Sequence, residues 1–146
     1  MKLLLKLTGC LAVAGLFVSC QSVQQEANYQ VIPLPQEIVV EQGIPFILKS
    51  GVKILYPEGN EKMQRNAKFL ADYLKTATGE DFTIEAGTEG KNVIILALGT
   101  ENENPEAYQL KVAGDGVTIT GSTEAGVFYG IQTLRKSLPI AVGANI

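Results

Sequence analysis

Six consecutive apolar residues, Val93–Leu98, constrain the fold more than any other feature of this sequence. The run shows no alternation of apolar and polar side chains, which is typical of a strand covered on both faces. We therefore predict that it forms the centre of a sheet. Such a strand requires the rest of the chain to supply the elements that pack on that sheet.

Two segments have the periodicity of amphipathic helices. The first follows Asn60, which is suited to capping a helix, and ends near Gly79, which readily adopts the left-handed C-terminal conformation. Its apolar stripe consists of Met63, Ala67, Leu70, Ala71 and Leu74. The second follows Ser122 or Thr123 as its cap and is closed by Pro139. Its apolar residues are Phe128, Ile131, Leu134 and Leu138.

Further strands are predicted on both sides of the first helix. Residues 108–112 and 117–120 alternate strictly around a turn at 113–116, which predicts a hairpin. The side chains predicted to face inward are Tyr108, Leu110, Val112, Val117 and Ile119. Shorter strands are predicted at 37–40, 46–48, 52–56 and 82–85. The fold class that follows is α+β, a mixed sheet with two helices packed against it.

The N-terminus has the layout of a secretory signal peptide over residues 1–19. Lys2 and Lys6 precede an uncharged stretch of about a dozen residues, shorter than the roughly 20 that a membrane-spanning helix needs. Residues 17–19 (FVS) before Cys20 resemble a bacterial lipobox, so Cys20 is the predicted lipidation site. Residues 7–9 (LTG) before Cys10 fit a lipobox better, but only six residues precede them. An ordinary signal peptide with an incidental cysteine is the alternative.

This N-terminus predicts an exported, membrane-anchored lipoprotein on the periplasmic or outer-membrane side of a bacterium. Residues 20–28 are polar and predicted to be a flexible tether, 29–140 the folded domain, and 141–146 the start of a linker. Cleavage before Cys20 removes Cys10, so the mature chain has no internal disulfide. It retains 10 basic against 15 acidic side chains, which suits a domain held beside an anionic membrane.

Composition limits the chemistry of this chain. Histidine is absent, which removes the commonest general base, every Ser-His-Asp arrangement and any histidine-containing zinc site. A net charge of -3 gives no basis for binding a polyanion, so nucleic acid is not an expected partner. The 146 residues also fall short of the roughly 250 of a (β/α)₈ barrel.

Two acidic motifs have structural and functional interpretations. Residues 101–106 carry three carboxylates and two amides, which are calcium ligands, but they lack the glycine and spacing of an EF-hand loop. A solvated connection is the favoured interpretation. Glu80 and Asp81 are adjacent beside a glycine, so a turn is favoured over paired-carboxylate catalysis.

Two further features of the sequence could indicate binding sites, but neither has the residues that such a site requires. Residues 121–126 superficially resemble a phosphate-binding loop, but Val127 and Phe128 stand where that motif requires Lys and Ser or Thr. Gly126 and Gly130, four residues apart, instead predict close approach of the helix to the sheet. A glycan groove lined by tyrosines is unsupported, because no sequential cluster joins Tyr29, Tyr56, Tyr73, Tyr108 and Tyr129.

Residues 125–135 (AGVFYGIQTLR) resemble the closing segment of the N-terminal, non-catalytic domain of family 20 glycoside hydrolases, the β-N-acetylhexosaminidases. The opening residues 31–35 (VIPLP) are similar as well. Matching segments between them are 71–74 (ADYL), 78–79 (TG), 105–110 (PEAYQL) and 117–121 (VTITG). The resemblance extends over roughly residues 29–140.

This resemblance implies a zincin-like mixed sheet without a metal site, followed by a catalytic (β/α)₈ barrel. In the family, an adjacent Asp-Glu pair in the barrel releases terminal β-linked N-acetylhexosamine. Glu is the general acid, and Asp orients the acetamido group of the substrate as the internal nucleophile. No catalytic, cofactor-binding or metal-binding residue of that kind is predicted in this chain, which is expected to be inactive alone and to need no cofactor. Similar domains precede barrels in other glycosidase families, and the alternative is a stand-alone surface lipoprotein that binds glycan or protein.

Overall fold

The computed structural model describes residues 27–40 and 43–138. Within these ranges the chain forms seven elements: β1 Lys53–Tyr56, α1 Glu61–Thr78, β2 Thr83–Ala86, β3 Val93–Leu98, β4 Tyr108–Ala113, β5 Gly116–Gly121 and α2 Glu124–Ser137. The predicted signal peptide, Cys20, most of the tether and Pro139 with the linker lie outside the described residues. Asn28, at the end of the predicted tether, donates its backbone N–H to the carbonyl of Ser137 at 2.8 Å.

The strands form one mixed sheet in the order β2-β1-β3-β5-β4. β1 pairs in parallel with β2 and β3, β3 pairs in parallel with β5, and β4 runs antiparallel to β5. The predicted α+β class and the central position of Val93–Leu98 are therefore confirmed.

Both helices pack on one face of this sheet, and alternate strand residues supply that face. Ile54, Ile94, Leu96 and Ile119 are fully buried there with side chains of α1 and α2. The loop between β2 and β3 crosses the opposite face, where a Cβ built on Gly90 lies 3.1 Å from Cγ1 of Val93. The central strand is thus covered by helices on one face and partly by a loop on the other.

The ends of α1 follow from its sequence. The side chain of Asn60 accepts a hydrogen bond from the backbone N–H of Met63 at 3.0 Å, which caps the N-terminus. Gly79 has φ 78°, in the left-handed region, and its N–H donates to the carbonyl of Lys75 at 2.8 Å. The predicted cap, stripe and end of this helix are confirmed, with Met63, Ala67, Leu70 and Leu74 buried.

The predicted hairpin forms, but one of its inward residues was predicted wrongly. Val112 is 56% exposed, because β4 is the outermost strand of the described sheet and α2 contacts its other end. There, a Cβ built on Gly130 lies 3.1 Å from the ring of Tyr108. The side chain of Thr123 caps α2. Phe128 is only half-buried, and Val127 takes the core position.

The predicted strands at 37–40 and 46–48 are wrong, since neither segment forms a strand in the described structure. Phe46 and Leu48 pack against the core, whereas Val39 and Val40 are exposed. Apolar and β-branched residues favour an extended backbone, but a strand also needs a neighbour to complete its hydrogen bonds. Local sequence does not reveal whether that neighbour is available.

Candidate functional site

The adjacent acids Glu80 and Asp81 lie exposed between α1 and β2. A carboxylate oxygen of Asp81 accepts a hydrogen bond from Nζ of Lys75 at 2.5 Å. This bond raises the pKa of Lys75 above its ordinary value. The side chains of Lys75 and Asp81 both face solvent, so they form a surface ion pair.

Hydrogen bonds join the acidic loop at 101–106 to the residues at the beginning of α2. The hydroxyl of Ser122 donates to the carbonyl of Asn102 at 2.9 Å, and the hydroxyl of Thr123 donates to the carbonyl of Pro105 at 2.6 Å. The side chain of Asn104 accepts from the N–H of Glu106 at 2.9 Å. Among residues 27–40 and 43–138, no three acidic or cysteine side chains converge as metal ligands.

The glycines around the start of α2 allow the helix to approach the sheet closely. A Cβ on Gly121 would lie 2.4 Å from the backbone nitrogen of Val127, and one on Gly126 would lie 2.3 Å from the carbonyl oxygen of Ala107. At Gly130 it would meet a methyl group of Ile119 at 2.4 Å. These distances confirm the packing interpretation of Gly126 and Gly130.

The first turn of α2 carries a carboxylate that contacts the cap residue of α1. Glu124 lies in the first turn of α2, and its side chain accepts a hydrogen bond from the amide of Asn60 at 3.1 Å. The backbone N–H of Glu124 itself, followed by the Asn60 amide, lowers the pKa of this carboxyl group. A second link between the helices runs from the amide of Asn66 to the carbonyl of Glu124 at 2.9 Å.

Aromatic side chains of α1 and α2 contact one another across the helix pair. The rings of Phe69 and Phe128 lie 5.2 Å apart between centroids, and those of Phe128 and Tyr129 lie 6.2 Å apart. Both separations are typical of favourable aromatic pairs. We call Phe69, Tyr73, Phe128, Tyr129 and Arg135 together the aromatic surface.

Arg135 is held within this surface by its neighbours. Its guanidinium carbon lies 4.2 Å from the ring centre of Tyr73 and 5.0 Å from that of Phe69, within the range of cation–π attraction. One terminal nitrogen donates to the side-chain oxygen of Gln132 at 2.6 Å. The hydroxyl of Tyr73 donates to the carbonyl of Arg135 at 3.1 Å. These contacts hold the guanidinium in position against the two aromatic rings.

The outward faces of the two helices differ in charge. On α1, exposed side chains form ion pairs one turn apart, with Arg65 3.9 Å from Glu61 and Lys68 3.1 Å from Asp72. On α2, residues 125–134 contain no charged side chain, although Tyr129 is 42% exposed. Only the outer side of α1 has the composition of an ordinary solvent-facing helix.

The structure does not bring the five tyrosines together in one site. Tyr108 is half-buried, with its hydroxyl 2.6 Å from the hydroxyl of Thr133, and Tyr56 packs against the core. Tyr73 and Tyr129 lie on the helix pair. Sequence reasoning missed Phe69 and Arg135, because neither belongs to an apolar stripe. The signal that the sequence offered for this surface was the absence of charged residues from 125–134, in the middle of α2.

A mixed five-stranded sheet with two helices on one face, which carry an aromatic surface, defines a small α+β domain. In the part of the chain that the structure describes, no helix is both long enough and apolar enough to span a membrane. The model of glycosyl hydrolase family 20, domain 2, matches residues 28–145, so the chain belongs to this family.

Similar proteins are several times longer than this chain. A β-hexosaminidase of Porphyromonas gingivalis is 31% identical over 128 residues, which are 86% of this chain and 16% of that protein. The β-N-acetylhexosaminidase from Streptomyces coelicolor A3(2) is 35% identical with a TM-score of 0.67, covering 79% of this chain and 23% of that one. The N-acetyl-β-hexosaminidase of Streptomyces plicatus is 36% identical with a TM-score of 0.68, covering 76% and 21%.

Proposed function

We propose that this chain is the non-catalytic N-terminal domain of a β-N-acetylhexosaminidase that acts on terminal N-acetylhexosamine residues of glycans. The observation that carries the proposal is the unequal coverage of the relatives. The similarity extends over 76–86% of this chain but only 16–23% of proteins named as hexosaminidases. The remaining length of those relatives is sufficient for a catalytic (β/α)₈ barrel.

In this proposal the domain supports the barrel and contributes no reacting group. In this family an adjacent Asp-Glu pair acts together, with Glu as the general acid and Asp orienting the acetamido group of the substrate. Glu80 and Asp81 are adjacent acids, but Asp81 is paired with Lys75 on an exposed surface. Glu124 is engaged by the Asn60 amide at the helix ends, where it stabilises the domain.

Enzyme assays on matched proteins test the function. The coding sequence is read beyond Ile146, and the full-length product is compared with residues 21–146 on a chromogenic N-acetyl-β-glucosaminide. We expect hydrolysis by the full-length protein and none by the shorter one, whose folding is checked by circular dichroism. Turnover by purified residues 21–146 would overturn the proposal, as would a stop codon after Ile146 with no barrel encoded nearby.

We also propose that Cys20 carries the lipid that anchors the exported protein to a bacterial membrane. Support comes from the charged start, the uncharged stretch and the lipobox-like residues 17–19. Metabolic labelling with a fatty acid tests this in the wild type, Cys20→Ser and the matched control Cys10→Ser. We expect label in the wild type and in Cys10→Ser only. A processed but unlabelled wild-type protein would instead indicate an ordinary signal peptide.

A further inference from the structure

The first described residues lie against the last turn of α2. The backbone N–H of Asn28 donates to the carbonyl of Ser137 at 2.8 Å, and Nζ of Lys136 donates to the carbonyl of Ile32. Val31, between these two contacts, is only 4% exposed. The point at which the predicted tether joins the domain is therefore fixed at the end of α2.

This turn of α2 lies at the end of the sheet where the parallel strands β1, β3 and β5 begin. The helix starts beside the end of β5 and runs back along it, so that Gly130 packs against Ile119 within the strand. The turn between β4 and β5 lies at the same end, and a Cβ built on Gly114 there lies 3.0 Å from Cβ of Ile44. Asn28 and Ile44 thus both lie at this end of the domain, which we call the tether end.

Apolar side chains are exposed at the tether end. Phe46 and Leu48 pack against the core, but their neighbours face solvent. We use the name apolar rim for four exposed side chains: Ile32 (79%), Leu34 (68%), Ile44 (81%) and Ile47 (57%). Residues 29–48 contain only two charged side chains, Glu37 and Glu41. Exposed aliphatic side chains in a segment with so little charge are typical of a surface that contacts a protein or a membrane.

The opposite end of the domain, where the parallel strands finish, is acidic. Six acidic side chains and one basic side chain occur there within residues 57–64, 99–107 and 122–124. Four acidic and five basic side chains occur at the tether end within residues 28–40, 43–52, 75–82, 91–92, 113–115 and 134–138. An anionic lipid surface repels the acidic end more strongly than the tether end. Charge therefore favours an orientation in which the tether end faces the lipid.

The lipid proposed on Cys20 brings a bilayer close to the tether end. Cys20 and Asn28 are eight residues apart, so they can be separated by at most about 29 Å even in a fully extended chain. Asn28 is itself held at the tether end by its bond to Ser137. The bilayer is thus within reach of the apolar rim, whereas the acidic end lies at the far end of the strands.

We propose that the tether end lies on a phospholipid bilayer, with the apolar rim inserted at the boundary between headgroups and acyl chains. This inference rests on the proposed lipid at Cys20 and goes beyond it, because it assigns a membrane-contacting surface to the folded domain. Aliphatic side chains inserted at this depth add their buried apolar area to the attraction of a covalent lipid. Since α2 ends at the same surface, the chain that follows Ser137 also starts close to the bilayer.

Photo-crosslinking to lipid in the full-length, lipidated protein tests the contact directly. The photoreactive residue p-benzoylphenylalanine is placed at Leu34, and at Leu98 as the control, an exposed leucine at the acidic end of β3. Each protein is inserted into vesicles of phosphatidylethanolamine and phosphatidylglycerol and illuminated. We expect a phospholipid adduct on the peptide that contains residue 34 and none on the peptide that contains residue 98. A crosslink from residue 34 to protein in place of lipid, no adduct there, or equal adducts at both positions would overturn the proposal.

A charge substitution in the same protein gives a second measurement. Leu34→Glu is expected to accelerate transfer of the lipidated protein from donor to acceptor vesicles by about tenfold, because an ionised carboxylate is unfavourable in the apolar part of the interface. Leu98→Glu, the same substitution at the acidic end, is expected to leave the transfer rate unchanged. Circular dichroism checks the fold of each variant. Transfer of Leu34→Glu at the wild-type rate would contradict a membrane contact at this position.

The anchor and the membrane-contacting surface fail in different ways. A wild-type protein that takes up no fatty acid contradicts the proposed lipid at Cys20. A labelled wild-type protein whose Leu34 probe and Leu34→Glu variant behave like the Leu98 controls contradicts only the membrane-contacting surface. The proposed hydrolase function is decided separately, by the assay on the chromogenic substrate.

Discussion

The two helices lie on the same face of the sheet and begin with the same kind of cap, but they differ on both of their sides. Toward the sheet, α1 presents large side chains such as Leu70, whereas α2 presents Gly126 and Gly130. Toward solvent, α1 carries ion pairs and α2 carries Tyr129 without a charged neighbour in the same turn. The difference teaches that α1 is held to the sheet by large buried side chains, whereas α2 reaches it through glycines that allow close approach.

The largest expected effect concerns the inner face of α1. Leu70 is fully buried, so Leu70→Ala leaves a cavity and is expected to lower the free energy of unfolding of the domain by about 2–5 kcal/mol. Phe69→Ala, the adjacent substitution on the outer side, is expected to cost about 1 kcal/mol. Urea denaturation measures both values. Equal losses in the two variants would remove the distinction between the inner and outer sides of this helix.

The next largest loss of stability is expected where α2 packs closely against the sheet. Gly126→Ala is expected to destabilise the domain by about 1–3 kcal/mol, because the added methyl group would lie 2.3 Å from a backbone carbonyl that cannot move easily. This outweighs the gain of about 1 kcal/mol that alanine brings to a helix interior. Gly43→Ala is the control, since no atom lies within 4 Å of its added Cβ. A Gly126→Ala variant more stable than the wild type would show that α2 has room to move away from the sheet.

A smaller loss of stability is expected when the hydrogen bonds of Asn60 between the first turns of α1 and α2 are removed. Asn60→Ala removes the cap of α1 and the amide that reaches Glu124, and is expected to cost about 1 kcal/mol. Asn60→Ser keeps a capping oxygen but loses the amide, so its stability is expected to lie between those of the wild type and Asn60→Ala. The same denaturation experiment measures all three proteins. If Asn60→Ser is as unstable as Asn60→Ala, the cap is not the main contribution.

Sequence predicted the elements whose signals are local. The stripe of α1, its cap at Asn60 and its end at Gly79 lie within twenty residues, and the apolar run at Val93–Leu98 identified the central strand. The predicted strands at 37–40 and 46–48 were wrong, because pairing depends on a neighbouring strand as well as on an extended backbone.

The candidate surface was harder to predict because it joins residues distant in sequence. Phe69 meets Phe128 and Arg135 only after both helices have packed on the sheet. Likewise, the exposure of Val112 depends on its position on the outermost described strand, which the alternation of its hairpin does not reveal. Patterns within one element predict its buried side, whereas a surface shared by two elements depends on their arrangement.

The smallest expected effect is a change in pH dependence at the beginning of α2. Its own backbone N–H and the Asn60 amide lower the pKa of Glu124, so the folded state binds a proton at this group less readily than the unfolded state. The stabilisation is present above the ordinary pKa of a glutamate and is lost as pH falls through the lowered value.

We expect Glu124→Gln to reduce the stability difference between neutral and acidic pH, measured by urea denaturation across that range. Glu103→Gln, an equal charge change on an exposed loop, should leave the difference unchanged. Parallel curves for the wild type and Glu124→Gln would indicate that the ionised carboxylate does not stabilise the helix ends, leaving the Phe69–Phe128 contact and the Asn66 bond as the main connections between α1 and α2.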